Sequence, residues 1–333
     1  MQDTFRTIPK GGKNLNTSSI STATVRNWER LGTDGTGKLT KRANKVKSKK
    51  RIIPYEYISD KNNIALLEAI VETIISNNYS HMDCIYTLCV SQLKNHNIYL
   101  NPNVQQMLCE YSGNSIIEEL THCSLPTNEF DFIGAIYQSL LFEGNKNCMG
   151  SYYTPRKVSV HMTKELDFSS KQKFLDPCCG SGSFLLSLNC DDPNLIYGID
   201  NDAIAVLIAK TNLLCKYSNS QFTPHIYCLN YLESDTLLGH DPVLDESFDY
   251  IFTNPPWGAA TKNTVTSLPI QSGESFSFFY VQSFFRLKPN GLIRFLFPES
   301  ILNVKVHKDI RLFMLERCSL RSITFYKESF SGV

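Results

Sequence analysis

No apolar run in the sequence approaches the ~18–20 residues that a membrane-crossing helix needs, and residues 1–12 lack the apolar stretch of a secretory leader. The eleven cysteines form no Cys-x-x-Cys pair and show no cysteine–histidine spacing of a zinc site. Cys178 and Cys179 are adjacent, and others such as Cys84, Cys89 and Cys215 sit among apolar neighbours. An odd number without a pairing pattern reads as reduced, buried thiols, which excludes a disulfide scaffold. These absences predict a soluble, cytoplasmic protein without a resident metal. No internal repeat is visible, so solenoid architectures are set aside as well.

What is present is a chain of 333 residues with 42% apolar and 11% aromatic content, enough for sizeable cores and for more than one domain. The net charge of +1 conceals an asymmetry. Residues 1–60 carry 13 Lys or Arg against 5 Asp or Glu, whereas the remainder is mildly acidic. A basic arm of this kind suits a polyanion, because lysine and arginine release counterions on meeting phosphates.

The pattern divides the chain into three. Residues 1–60 form a basic N-terminal arm with one apolar island, 20–32, that reads as a helix with Val25, Trp28 and Leu31 on one face. Residues 61–148 keep a helical period, with segments expected near 64–75, 84–93, 104–111, 116–122 and 132–141. From 149 to 333 short apolar runs alternate with helical ones. Strands are expected at 173–178, 195–200, 225–229, 250–253 and 292–297, and helices near 203–214, 276–287 and 306–315. Strands alternating with helices mean an α/β domain whose parallel sheet is covered on both faces.

Three constellations carry chemistry. Asp176-Pro-Cys-Cys-Gly180-Ser-Gly182 ends a strand in an acid and turns through glycines into a helix, which lets backbone approach a bound cofactor closely. No Lys-Ser/Thr follows the turn, so it is not a P-loop. Asp200-Asn201 ends the next strand about 20 residues later, the spacing of a ribose-binding acid; an ordinary helix cap is the alternative. These two turns describe a nucleoside-containing cofactor and leave NAD and S-adenosylmethionine both open. The third constellation is Asn254-Pro255-Pro256-Trp257, directly after an apolar strand. Its prolines stiffen the loop and remove two N–H donors. The Asn254 side-chain oxygen and the Pro255 carbonyl can then both accept from one amino group. That suits a planar exocyclic amine that must become tetrahedral to attack a methyl sulfonium, and Trp257 offers a face for a stacked base.

In this order, Asp176-Pro-Cys-Cys-Gly-Ser-Gly, Asp200 and Asn254-Pro-Pro-Trp257 resemble the motifs of the gamma-type N6-adenine DNA methyltransferases, over roughly residues 130–333. The likeness is to modification subunits and fused restriction–modification enzymes. Tyr137 on its helix and Tyr152-Tyr153-Thr154-Pro155 extend the resemblance upstream. It implies a Rossmann-like class I S-adenosylmethionine methyltransferase core behind an α-helical N-terminal domain, methylating adenine N6 in DNA within a restriction–modification or related defence system. By that resemblance Tyr153, Thr154 and Pro155 close over the methionine end of S-adenosylmethionine. Asp176, Gly180 and Gly182 hold its amino-acid part, Asp200 with Asn201 its ribose, and Asn254, Pro255, Pro256 and Trp257 act on the target base.

Two departures stand out. The family's acid near the cofactor adenine is replaced by Asn230. Residues 323–333 resemble the family's sixth strand and the following loop, with Phe330 matching the aromatic on the far face of the flipped base. The antiparallel seventh strand that should follow and the target-recognition domain have no counterpart, which predicts a fragment with a slot in its sheet that must be filled, covered or left to fray, and a specificity or complementing C-terminal subunit as partner. In the basic arm, 20–32 resembles the second helix of a winged, MerR-like helix-turn-helix. Thr24, Arg26 and Asn27 would then face the major groove of double-stranded DNA, and Lys38, Lys41 and Arg42 would touch phosphates; the alternative is an amphipathic docking helix followed by a solvated basic linker. The rival expectations are methylation of RNA or of a protein glutamine, and a catalytically inactive DNA-binding remnant. Cytosine-C5 chemistry is excluded, since no Pro-Cys loop follows the fourth strand.

Overall fold

In the computed structural model the described residues are 5–9 (backbone alone), 53–141, 154–232, 247–257, 269–270 and 274–326. The expected helix at 20–32 and the arm residues Thr24, Arg26, Asn27, Lys38, Lys41 and Arg42 lie outside them, as do Tyr153 and Phe330.

Among the described residues, strand β1 (Phe5–Pro9) is followed by the helices α1 (Asn63–Ser76), α2 (His81–Asn95), α3 (Pro102–Cys109), α4 (Glu118–Thr121) and α5 (Phe132–Leu140). Their starts follow local chemistry. The Ser80 hydroxyl accepts from the Asp83 N–H ahead of α2, Pro102 opens α3 where no N–H is needed, and Asp131 caps α5 by accepting from Gly134 N. Helix α6 (Arg156–Thr163) leads into the α/β part. There β2 (Phe174–Asp176), α7 (Ser183–Ser187), β3 (Ile196–Asp200), α8 (Ala203–Lys216) and β4 (His225–Cys228) form one half. The other half holds β5 (Phe248–Thr253), α9 (Ser275–Phe285), β6 (Leu287–Phe295), the short α10 (Ser300–Asn303), α11 (Lys308–Arg317) and β7 (Ser322–Tyr326).

Five strands make a parallel sheet in the order β4-β3-β2-β5-β6. The chain therefore starts in the middle, builds outward through β3 and β4, returns beside β2 as β5, and builds outward again. Successive side chains point to opposite faces. Phe174, Ile196 and Phe252 join one core with Leu88, Ile136 and Ile208, while Leu175, Tyr197 and Ile251 join another with Phe276, Val281 and Ile310. The helical segment of the first half of the chain thus shares its core with one face of the sheet. Each fully buried Leu, Ile or Phe contributes ~1.5–3 kcal/mol to that docking.

The expected strands are found with shifted ends; β6 begins five residues early at Leu287 and has an irregular register opposite 248–250. The larger correction concerns β7. It was expected to flank a slot in the main sheet that is filled, covered or left to fray; among the described residues it instead pairs antiparallel with β1, from Phe5 opposite Tyr326 to Pro9 opposite Ser322, in a two-stranded sheet apart from the five-stranded one. A strand in the antiparallel sense does accompany β7, and it comes from the N-terminal residues. β7 is held to α6 as well, through His161 Nδ1 and the Tyr326 hydroxyl at 2.9 Å.

Candidate functional site

The order of the strands places the site. In an open α/β sheet the crevice forms at the carboxyl ends of the strands where the chain reverses its direction of building, because the connections there diverge to opposite faces. Here that point lies between β2 and β5. Asp176 ends β2, Asp200 ends the neighbouring β3, and Thr253-Asn254-Pro255-Pro256-Trp257 leaves β5. The three constellations separated by up to 81 positions in sequence meet at this one edge.

The glycine turn needs its glycines. Gly180 has φ 53° and Gly182 φ 100°, left-handed values that a side chain would strain. The Gly180 N–H donates to Asp200 Oδ2 at 2.8 Å, and the Asp202 N–H donates to Asp200 Oδ1 at 3.0 Å. A carboxylate has about four acceptor sites, so Asp200 retains capacity for a diol. It is not the cap of α8. That task belongs to Asp202, whose Oδ1 accepts from Ile204 N and Ala205 N. Asn201 is exposed beside it, and the Asn230 side-chain oxygen accepts from Leu232 N at 3.2 Å, closing the turn after β4.

Asp176 is 1% exposed and binds across the switch point: its Oδ1 accepts from the Thr253 hydroxyl at 2.6 Å and from Cys178 N at 3.1 Å. Burial pushes its carboxyl up to about 7, against the pull of those two bonds and with a further push from Asp200. Burial likewise raises Asp200 to about 6, opposed by the N–H groups of Asp202 and Gly180. Among the described residues neither acid is paired with a lysine or arginine. Two strand-end carboxyls held near neutrality without a protein cation suit a ligand that brings its own positive charge and hydroxyls. Burial also holds the Cys178 and Cys179 thiols far above their ordinary range, so neither acts as a thiolate nucleophile at neutral pH.

On the β5 side, Pro255 is buried and Asn254, Pro256 and Trp257 are half-buried. The Trp257 indole N–H donates to the Leu296 carbonyl at 3.1 Å, fixing the ring by its edge, and Ser275 donates to the Pro256 carbonyl at 2.6 Å. Thr154 is buried and Pro155 half-buried at the start of α6. Sequence reasoning missed Thr253, Asp202, Asp131, Ser181 and Asn212. Asp131 and Asp202 each precede an apolar helical run, a cap signal that was available; the others take their role from tertiary contact.

Among the described residues no helix is long and apolar enough to cross a membrane, and no cluster of His, Cys, Asp or Glu has the arrangement of a metal site.

Comparison with known proteins agrees with this geometry. The family model described as N-6 DNA Methylase matches residues 128–330. The Type II methyltransferase M.VspI from Vibrio sp. (strain 343) is 29% identical over 241 residues, covering 68% of this chain and 57% of its own length. The Type I restriction enzyme EcoEI methylase subunit from Escherichia coli is 26% identical over 233 residues, covering 59% and 44%. The chain spans about half the length of these curated relatives. Among solved structures, a Listeria monocytogenes protein assigned to the class I S-adenosylmethionine-dependent methyltransferases superposes with a TM-score of 0.51 at 15% identity. It covers 77% of this chain and 80% of its own. That likeness shows the fold: a Rossmann-like class I methyltransferase core.

Proposed function

Because the chain belongs to the N-6 DNA methylase family, we propose that it transfers a methyl group from S-adenosylmethionine to the N6 amine of adenine in double-stranded DNA. When bound, S-adenosylmethionine supplies a methyl group on a positively charged sulfur, an electrophile ready for an amine. Asp176 with the backbone of Gly180 and Gly182 receives its ammonium end, Asp200 and Asn201 its ribose, and Asn230 lies on the adenine side. Thr154 and Pro155, with Tyr153, close over the methionine end.

The target adenine leaves the duplex at a cost of a few kcal/mol. Trp257 offsets part of that by stacking, with Phe330 on the other face. Asn254 Oδ1 and the Pro255 carbonyl accept hydrogen bonds from the exocyclic amine. Holding both N–H groups out of the ring plane would free the nitrogen lone pair for attack on the methyl carbon; the C–S bond would break as the C–N bond forms, its electron pair leaving with the neutral thioether, and one amine proton would pass to water.

The observation that carries this reading is the hydrogen bond from Thr253 to Asp176, 2.6 Å long. It joins the end of β2 to the residue immediately before Asn254, which supports reading Asp176 and the Asn254 loop as two sides of one crevice.

We assign residues 1–60 to a basic arm on DNA, where Thr24, Arg26 and Asn27 read bases and Lys38, Lys41 and Arg42 hold phosphates. Residues 61–148 are a helical domain and 149–333 the catalytic one. The name of the Escherichia coli relative, a methylase subunit of a type I restriction enzyme, supports a role in a restriction–modification system, with a specificity or complementing subunit as partner in the cytoplasm. The test is incubation with unmethylated duplex DNA, RNA and a protein extract in the presence of methyl-labelled S-adenosylmethionine. Label recovered as N6-methyladenine in DNA is the expected result. Label in RNA or in protein glutamine would replace the substrate, and no label in any fraction would reject catalysis by this chain.

A further inference from the structure

The two cofactor loops are bonded to each other and to one helix, and the bonds close a ring. Asp131, the cap of α5, is 4% exposed. Its Oδ2 accepts from the Ser181 hydroxyl, and its Oδ1 accepts from Gly134 N at 3.0 Å and from Asn212 Nδ2 at 2.7 Å. Asn212, on α8, also donates to the Ser181 carbonyl at 3.1 Å. Ser181, the residue between the two left-handed glycines, is therefore gripped by its side chain and its backbone, and is wholly buried. Six residues further along α5, the Tyr137 hydroxyl donates to Asp202 Oδ2 at 2.7 Å. Asp202 N donates to Asp200, and Asp200 accepts from Gly180 N. The circuit runs from Asp131 through Ser181, Gly180, Asp200, Asp202 and Tyr137 back along the helix.

A helix rises about 1.5 Å per residue, so these two anchor points stand roughly 9 Å apart on a rigid rod. The chemistry of each anchor is one-directional. Three donors converge on Asp131, which suits an acceptor. Burial and the neighbouring Asp202 push the Tyr137 hydroxyl above its usual range, so it remains a donor throughout the physiological range. None of Asp131, Ser181, Asn212 and Tyr137 is in the set of residues assigned to cofactor or target, and burial of this many polar groups is costly unless each is satisfied.

We propose that α5 is a spacer that sets the separation of the glycine turn and the Asp200 loop, with Asp131 and Tyr137 as positioning residues for cofactor binding. The inference rests on the proposed S-adenosylmethionine site and adds to it what holds the two halves of that site in register. It also makes the two anchors separable, because Ser181 governs the turn assigned to the methionine end and Tyr137 governs the loop assigned to the ribose.

The test is calorimetric titration of the full chain with S-adenosylmethionine and with adenosine, which lacks the methionine end, alongside a thermal melt of each variant. Ser181→Ala should weaken S-adenosylmethionine about tenfold, the scale of one hydrogen bond to a charged group, and leave adenosine unchanged. Tyr137→Phe should weaken both ligands. Asp131→Ala removes the bond to Ser181 together with those from Gly134 N and Asn212, so it should weaken S-adenosylmethionine at least as much as Ser181→Ala. Ser139→Ala is the control: Ser139 is equally buried on α5 but bonds only the Ala135 carbonyl of its own helix among the bonds seen. Its affinity for both ligands should equal that of the unaltered chain. Affinities in Ser181→Ala and Tyr137→Phe no different from Ser139→Ala would overturn the inference while the cofactor site stands. An unaltered chain that binds neither ligand would remove the site and the inference together.

Discussion

The two halves of the sheet on either side of the switch point are built by different means. On the β2–β3 side, side chains bond backbone and one another: Asp200 to Gly180 and Asp202, Asp131 to Ser181, Asn212 to Asp131 and Ser181. On the β5–β6 side the packing is aromatic. Phe276, Tyr280, Phe295 and Phe297 pack edge-to-face, tilted or offset-stacked, with ring centroids 5.2–5.9 Å apart. Directional bonds fix atoms to within tenths of an ångström, which a loop reading a small charged ligand requires. Aromatic packing supplies burial with less directional demand, which is adequate beneath a loop whose own prolines restrict it. The half assigned to the cofactor is thus held by a network of side-chain bonds, and the half assigned to the target base by aromatic packing, its prolines and the two bonds of Trp257 to Leu296 and Ser275 to Pro256.

That contrast can be broken on one side at a time. Asn254→Ala should give the largest effect, a fall in methyl transfer of about 10²–10³-fold or more, the scale for losing one acceptor or donor at a reacting centre. Single-turnover kinetics on duplex DNA would measure it. Trp257→Ala comes next: a stacked base is worth ~1–3 kcal/mol, so the KM for DNA should rise tenfold or more. Trp257→Phe should recover most of that, whereas equal damage by both would place the ring's role in its bond to Leu296.

The pH response sharpens the same comparison. Asp176 and Asp200 are raised to about 7 and about 6. A cationic ligand favours the ionised acids, so cofactor affinity should fall as pH drops from 8 to below 6, with protons released on binding at pH 6.5. The stability of the ligand-free protein runs the other way. A carboxyl whose folded pKa exceeds its unfolded value contributes stability that is complete below about 4 and is lost as pH rises through 6 and 7. The thermal shift caused by cofactor should therefore be larger at pH 8 than at pH 5.5. Thr253→Val removes a bond that holds the Asp176 carboxyl down, so its binding midpoint should move to higher pH; an unmoved midpoint would separate the two halves. The smallest effect is expected from deleting residues 1–9. Loss of the β1–β7 pairing should lower the melting temperature by about 2–6 °C and leave cofactor affinity as it was.

The α/β alternation, the five helices ahead of it and the three strand-end motifs were legible because each is local. Phe174 and Leu175 face opposite cores in a run that already reads as a strand, and Ile133 and Ile136 sit at helical spacing. What escaped is tertiary. Ser181 looks like a filler between glycines until Asp131, 50 residues away, is seen to hold it. Asp200 and Asp202 are both acids at a strand–helix junction, and only the geometry separates the cap from the loop anchor. The strand at Phe5–Pro9 is five residues in a polar setting, and its partner lies at the other end of the sequence. Residues 288–291, between the expected helix and strand, fall within β6, whose register shifts there.

The most direct test of this two-sided account is titration of S-adenosylmethionine into the unaltered chain, Asp200→Ala and Asn254→Ala. The account predicts micromolar binding by the unaltered chain, affinity retained in Asn254→Ala, and at least a tenfold loss in Asp200→Ala, the scale of hydrogen bonds to a charged acceptor. Equal affinity in Asp200→Ala, or loss of binding in a folded Asn254→Ala, would contradict the division of the crevice into a cofactor side and a target side.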